Sequence, residues 1–322
     1  MSEHLVEVQD LVVRFRKKSS KLLTVKAEYF SAVDEVSFFI DEGETYGLVG
    51  ESGSGKSTIG KAILRYHTPD SGKIFFEGEE IQALSEKELL PFRKKMQTIF
   101  QDPYASLDPR MTVSEIICEP MLIHHLCSKQ EAKERAVDLL LKVGLTEQDQ
   151  YKYPQEFSGG QRQRVSIARS LSIQPRFVIC DEPVSALDVS LQAQVIRLFE
   201  QLQEENGLTY LFISHQLQLV RRICDRIGVL YLGSLMEDGV SEKIYTNPLH
   251  PYTQLLLSSM LEADPDIPSL DHIQVDIGVQ EYHGVGCKFA NRCPHATDRC
   301  RAERPQLAET EQGHRVACFL YE

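Results

Sequence analysis

Apolar and polar residues alternate in short runs over residues 5–50, as in Leu5-Val6-Glu7-Val8 and Val36-Ser37-Phe38-Phe39-Ile40, the period-two spacing of half-buried strands. This predicts a partly antiparallel sheet. Asp41-Glu42-Gly43-Glu44 reads as a turn, after which Thr45-Tyr46-Gly47-Leu48-Val49 is a short apolar run leading into a glycine-rich loop. From Thr58-Ile59-Gly60-Lys61-Ala62-Ile63-Leu64 the spacing becomes helical, giving strand, loop, helix. The stretch from about residue 85 to 175 has helical periodicity, with Ala136, Val137, Leu140, Leu141 and Val143 on one face, and predicts a helical subdomain. Phe177-Val178-Ile179-Cys180 and Tyr210-Leu211-Phe212-Ile213 are apolar throughout, as strands covered on both faces of a parallel sheet must be. The expected fold class is α/β, with an antiparallel β subdomain and a helical subdomain around a doubly covered core.

Composition changes between residues 263 and 286, where Asp264-Pro265-Asp266-Ile267-Pro268 suits an extended linker. The expected division is a main domain over 1–262, a linker over 263–286 and a small cysteine-containing extension over 287–322. A length of 322 residues accommodates such a domain and appendage. No internal repeat or low-complexity tract interrupts the chain. No apolar run approaches the ~20 residues that cross a bilayer, and Met1-Ser2-Glu3-His4-Leu5 does not begin a secretory signal, so a cytoplasmic location is expected. A net charge of −12 argues against general nucleic-acid binding, which needs clustered Lys and Arg.

Gly50-Glu51-Ser52-Gly53-Ser54-Gly55-Lys56-Ser57 matches the phosphate-binding loop in full and lies between the expected strand and helix. Glycines there let backbone N–H groups wrap phosphates, and the helix beginning near Thr58 presents its positive end. Lys56 would reach the β- and γ-phosphates and Ser57 would ligate Mg²⁺. Asp181 and Glu182 close the apolar strand, so Asp181 can serve the Mg²⁺ shell while Glu182 orients the attacking water. A bare pair of carboxylates at a strand end is weak evidence; the phosphate loop upstream gives it weight. Ser158-Gly159-Gly160-Gln161 opens a second helix and forms a second anion-binding terminus. One nucleotide rarely needs two cradles, so this one is expected to grip the ATP of a partner subunit.

The order of phosphate loop, Gln101, Ser-Gly-Gly-Gln, Asp181-Glu182, Ser185-Ala186-Leu187-Asp188 and His215 resembles that of ABC transporter ATPases over roughly residues 5–260. The resemblance implies that Gln101 links the Mg²⁺ site to the transmembrane subunits, that Asp188 orders the dimer interface and that His215 contacts the γ-phosphate. It further implies an aromatic platform for adenine, for which Tyr29 or Phe30 are the candidates, an ordinary core aromatic being the alternative. Three strings, Phe100-Gln101-Asp102-Pro103-Tyr104-Ala105-Ser106-Leu107-Asp108-Pro109-Arg110, Glu182-Pro183-Val184-Ser185-Ala186-Leu187-Asp188-Val189-Ser190 and Asn247-Pro248-Leu249-His250-Pro251-Tyr252-Thr253, narrow the resemblance to the ATPases of dipeptide and oligopeptide importers. Nickel and glutathione importers belong to the same group. The basic run Arg14-Phe15-Arg16-Lys17-Lys18 resembles the second, F-type, ATPase of such systems, and Gln216 departs from the Asp usual after the switch histidine.

On that resemblance the chain is expected to be an ATPase at the cytoplasmic face of the membrane that powers peptide import. Its partners would be a second ATPase subunit in a heterodimer, two transmembrane permease subunits and an extracytoplasmic binding protein. Nickel or glutathione as cargo, or a redox-sensing module with secondary ATPase activity, are the alternatives. The last bears on Cys287, Cys293, Cys300 and Cys318, with five, six and seventeen residues between successive cysteines. The run Cys287-Lys288-Phe289-Ala290-Asn291-Arg292-Cys293-Pro294 resembles the C-terminal motif of peptide-importer ATPases. Four thiolates suit a [4Fe–4S] cluster or a tetrahedral Zn²⁺; the lack of a CxxC pair weakens a zinc ribbon, and free thiols are the third reading. An iron–sulfur cluster that staples a tail too small for its own core is the favoured expectation.

Overall fold

The computed structural model describes residues 4–16, 29–261, 284–311 and 313–322. Lys17, Lys18 and the expected linker up to residue 283 lie outside the described residues. The described chain is mixed α/β and divides into two compact units, one comprising residues 1–40, 45–82 and 213–322, the other residues 41–44 and 83–212.

The first unit holds an antiparallel sheet in which Val6–Arg16 lies between Tyr29–Ile40 and Ser71–Phe76, with the short Glu79–Glu80 at the edge. The alternation legible in the sequence is borne by burial: Val6, Val8, Leu11, Val33, Val36, Phe38 and Ile40 are all buried. A second set of strands begins with Thr45–Val49, buried along its whole length, which pairs in parallel with Arg226–Tyr231. Arg226–Tyr231 pairs antiparallel with Ser234–Val240. That strand in turn carries His314–Val316, on which Ala308–Glu311 folds back. The C-terminal tail therefore extends a sheet that starts beneath the phosphate-binding loop.

The second unit is led by helices. Glu86–Lys95, Val113–Ile123 and Lys129–Lys142 each start with a capping box, from Ser85 and Glu88, Thr112 and Glu115, and Ser128 and Glu131. These boxes satisfy donors that a helix start leaves unpaired. Ala132, Ala136 and Leu140 form the buried stripe of Lys129–Lys142, whereas Leu141 is exposed. In the same unit Met96–Ile99 pairs in parallel with Phe177–Asp181, whose first four residues are buried as the apolar run requires. Phe199 of helix Val189–Asn206 packs edge-on against Tyr210 and Phe212, at 5.6 and 6.1 Å between ring centres.

Candidate functional site

In the first unit the strand Thr45–Val49 ends at the loop 50–55, and helix Lys56–Ile63 begins directly after it. Two glycines are required there. Gly50, at φ +148°, would place a Cβ 2.1 Å from the carbonyl oxygen of Leu230, and Gly55, at φ +106°, would place one 2.2 Å from that of Ala32. No side chain fits either place, and the backbone conformation disfavours L residues as well. Lys56 is buried, and its Nζ donates to the carbonyls of Gly50 and Glu51, both at 2.8 Å, and to Ser54 Oγ at 3.3 Å. The ammonium is thereby held inside the loop. Ser57 and Thr58 follow on the first turn, half-buried, while Ser52 and Gly53 are exposed at the loop tip.

His215 is exposed just beyond the strand Thr209–Ser214. Its neighbour Gln216 precedes helix Leu217–Ile223, with its backbone N–H on Ser214 Oγ at 3.0 Å. Tyr29 and Phe30 are 61% and 45% exposed. That excludes the core-aromatic alternative for both and leaves them able to offer a ring face.

The second unit brings Gln101 and Glu182 together, the Gln101 amide donating to the Glu182 carboxylate at 2.9 Å. Glu182 has φ +47°, a conformation that costs a non-glycine residue about 1–3 kcal/mol and persists where surrounding structure imposes it. Its carbonyl receives the backbone N–H and the hydroxyl of Ser185, at 3.2 and 3.1 Å. Asp181 precedes it, half-buried at the strand end. Helix Gly159–Leu171 opens with Ser158 and Gln161 exposed; Ser158 N–H donates to the Gln161 side chain at 3.0 Å, and Gln161 N–H to Ser158 Oγ at 3.4 Å. The chain before it is tied by Arg162, which donates to the carbonyls of Pro154 and Gln155 and lies over the Tyr104 ring at 3.6 Å. Asp188 caps helix Val189–Asn206 by accepting from Leu191 N–H at 3.0 Å and from the Ser190 hydroxyl at 2.9 Å. Those hydrogen bonds hold its carboxyl below the usual carboxylate range.

The donor set expected for Mg²⁺, the Ser57 hydroxyl, the Asp181 carboxylate and the Gln101 amide oxygen, is all hard oxygen, the kind that ion prefers. The residues fit the group in chemistry, and within the second unit Gln101 and the strand end carrying Asp181-Glu182 are already joined through Glu182.

The metal expected at the C-terminal cysteines requires correction. Cys287, Cys293, Cys300 and Cys318 are free thiols, and among the described residues no group of three or more His, Cys, Asp or Glu side chains could hold a metal ion. The [4Fe–4S] cluster and the Zn²⁺ alternative are therefore withdrawn. Burial pushes the thiols of Cys287 and Cys293 up, and that of Cys318 to about 11. The tail is held by packing and ion pairs. Phe289 is buried against Tyr231 and Tyr252, both at 5.4 Å. Lys288 donates to Leu232 O at 2.7 Å and pairs with Asp34 at 2.8 Å, and Arg304 reaches Asp34 and Glu35. Buried Glu237 receives His314 at 2.7 Å and the backbone N–H groups of Leu249 and His250.

Sequence reasoning passed over two residues that touch the loop itself. Arg292 grips the Glu51 carboxylate with both terminal nitrogens at 3.0 Å, and Tyr252 OH receives Glu51 N–H at 3.0 Å. Arg292 lay within the cysteine string and Tyr252 within an importer string, but neither showed a link to residue 51.

Residues 33–185 match the family described as ABC transporter, and residues 236–300 match the C-terminal region of oligopeptide/dipeptide transporters. The oligopeptide transport ATP-binding protein AppF of Bacillus subtilis is 47% identical over 99% of this chain and 98% of its own length. The oligopeptide transport ATP-binding protein OppF of Streptococcus mutans is 53% identical over 81% of this chain and 83% of its own. Among solved structures, the dimeric post-hydrolysis state of the ATP-binding cassette MJ0796, bound to ADP and Pi, superposes with a TM-score of 0.66 at 29% identity, covering 73% of this chain and 98% of that one.

Proposed function

This chain belongs to the ABC transporter ATP-binding subunits of the oligopeptide and dipeptide importers, and from that premise we propose how its residues power peptide import. The observation that carries the proposal is the loop 50–57, with two glycine positions closed to any side chain and a buried Lys56 aimed into the loop. An ATP polyphosphate entering the loop would exchange the Lys56 contacts to carbonyl oxygens for contacts to phosphate oxygens, a cation already in place and desolvated. Backbone N–H groups at the start of helix Lys56–Ile63 add to the same field.

Mg²⁺, held by Ser57, Asp181 and Gln101, would supply charge neutralisation at the β- and γ-phosphates. Glu182 is the residue we assign to the attacking water: its backbone is fixed in an unfavourable conformation and its carboxylate is steadied by Gln101. Such fixation suits a reaction whose catalysis is chiefly positioning. His215 is assigned to the γ-phosphate and Tyr29, with Phe30 beside it, to the adenine. Ser158, Gly159, Gly160 and Gln161 are assigned to the ATP of a second ATPase subunit, with Asp188 ordering that interface. A heterodimer is the favoured arrangement. ATP closes it, hydrolysis reopens it, and the permease subunits change the side to which they open.

Among the described residues no helix is long and apolar enough to cross a membrane. From its family membership we assign this chain to the cytoplasmic face and passage of the peptide to the permease subunits. Domain roles follow the same line: residues 1–262 carry the nucleotide chemistry and residues 287–322 brace it. The test is uptake of labelled di- and oligopeptides, with nickel and glutathione alongside, in cells whose only copy carries Glu182→Gln. Selective loss of peptide uptake is expected; unchanged uptake of all of them would overturn the reading.

A further inference from the structure

Glu51 occupies one of the unspecified positions of the phosphate loop, yet it is tied at three points. Its backbone N–H donates to Tyr252 OH, its carbonyl accepts from Lys56 Nζ, and its carboxylate is taken in a two-pronged grip by Arg292, Nη1 to Oε2 and Nη2 to Oε1, both at 3.0 Å. Arg292 is itself braced. Its guanidinium lies beside the rings of Tyr231 and Phe289, at 5.6 and 5.7 Å, with Nη1 also 3.4 Å from Tyr231 OH. Phe289 and Tyr252 are fully buried beneath it. The Arg292 side chain is only 18% exposed, against 43% for Glu51.

A carboxylate at the rim of a polyphosphate site opposes the ligand, because like charges a few ångströms apart repel and salt only partly screens them. A guanidinium matched to both carboxylate oxygens removes that opposition and fixes the side chain's direction, which a lysine point charge could not do. We propose that Arg292, delivered by the C-terminal tail, is a positioning residue of the ATP site that neutralises Glu51 and holds the phosphate loop open to its ligand. This rests on the reading of residues 50–57 as the ATP cradle. It gives the tail a purpose that needs no metal: the loop binds ATP well only when the tail is docked.

The test is equilibrium binding of a fluorescent ATP analogue with Mg²⁺ to the purified full chain, at 50 mM and at 500 mM salt. Arg292→Ala is expected to weaken binding about tenfold at low salt, the effect of one uncompensated charge near the phosphates, and clearly less at high salt. Glu51→Gln added to Arg292→Ala is expected to recover most of the loss, since no carboxylate then needs neutralising. Arg292→Gln serves in the same cycle if Arg292→Ala melts early. Wild-type affinity in Arg292→Ala, or a salt-independent loss that Glu51→Gln does not relieve, would overturn the proposal and leave Arg292 a packing residue. Failure of the wild-type chain itself to bind the analogue would instead strike the ATP reading, with Lys56→Ala as its reference.

Discussion

His250 stands at the head of helix Pro251–Leu261, 1% exposed, with Nδ1 accepting the Tyr252 N–H at 3.0 Å. It does what an N-cap side chain does, and it can do so only without a proton on Nδ1. Burial pushes its pKa down to about 4 from 6.5, against a smaller upward pull from Glu237. The unfolded chain therefore takes up the proton first as pH falls. The stability contributed is complete above pH 6.5 and is lost progressively on acidification toward pH 4. At 1.36 kcal/mol per unit the whole effect is about 3 kcal/mol, of which about 2 kcal/mol should be gone by pH 5. His250→Asn keeps an acceptor at the cap and removes the titration; it also loses the ring contact with Phe289 at 5.7 Å, a cost that does not vary with pH. Urea unfolding of both proteins at pH 7.5 and pH 5 isolates the effect. The stability of wild type relative to the variant should fall by about 2 kcal/mol between the two conditions. A difference that stays constant would refute the argument. The consequence would reach the ATP site, because the hydroxyl oxygen of Tyr252, whose N–H the cap holds, accepts from Glu51 N–H.

Glu182→Gln should bind ATP as wild type does while releasing phosphate at least ~10²-fold more slowly, the usual loss when a general base is removed; normal turnover would rule out its assignment. Gly55→Ala should abolish ATP binding in the same fluorescence titration, since its Cβ would meet Ala32 O at 2.2 Å and the left-handed backbone costs a further ~1–2 kcal/mol. Phe289→Ala should cost about 3–5 kcal/mol in urea unfolding through the contacts to Tyr231, Tyr252 and His250. An effect below about 1 kcal/mol would mean that the tail is held by its ion pairs alone.

The strand, loop and helix around Lys56 were legible because each has a local cause: a buried apolar run, glycines at positive φ and a return to helical spacing. The covered strands Phe177–Asp181 and Thr209–Ser214 were legible for the same reason, as unbroken apolar runs. Leu141 was less so. A face read by periodicity alone included it, yet it is exposed, because a helix packed on only one stripe leaves room for a leucine outside. The cysteines show a sharper limit. Spacing makes four thiols look like one ligand set, but ligation depends on sulfurs directed at one point, and among the described residues no group of three or more side chains meets that condition, while Cys300 meets the Thr297 hydroxyl at 3.3 Å.

The least legible feature lies closest to the chemistry. Glu51 falls at a position the loop motif leaves open, and Arg292 lies 241 residues further on, so no periodicity, spacing or propensity relates them. The path of the tail joins them: His314–Val316 pairs on Ser234–Val240, Lys288 fixes on Asp34 and Leu232 O, and Phe289 sinks between Tyr231 and Tyr252. Only with those contacts made does Arg292 arrive at the loop with its fork facing the carboxylate. Gly233, next to the carbonyl that Lys288 holds, donates its N–H to Ser54 O at 2.8 Å, so the turn that the tail grips meets the loop's backbone while the tail itself meets its charged side at Glu51. A chain that lost the tail would keep every residue of the phosphate motif and still present ATP with an unpaired carboxylate. The motif thus specifies where phosphate goes, and the tail helps decide how readily it goes there.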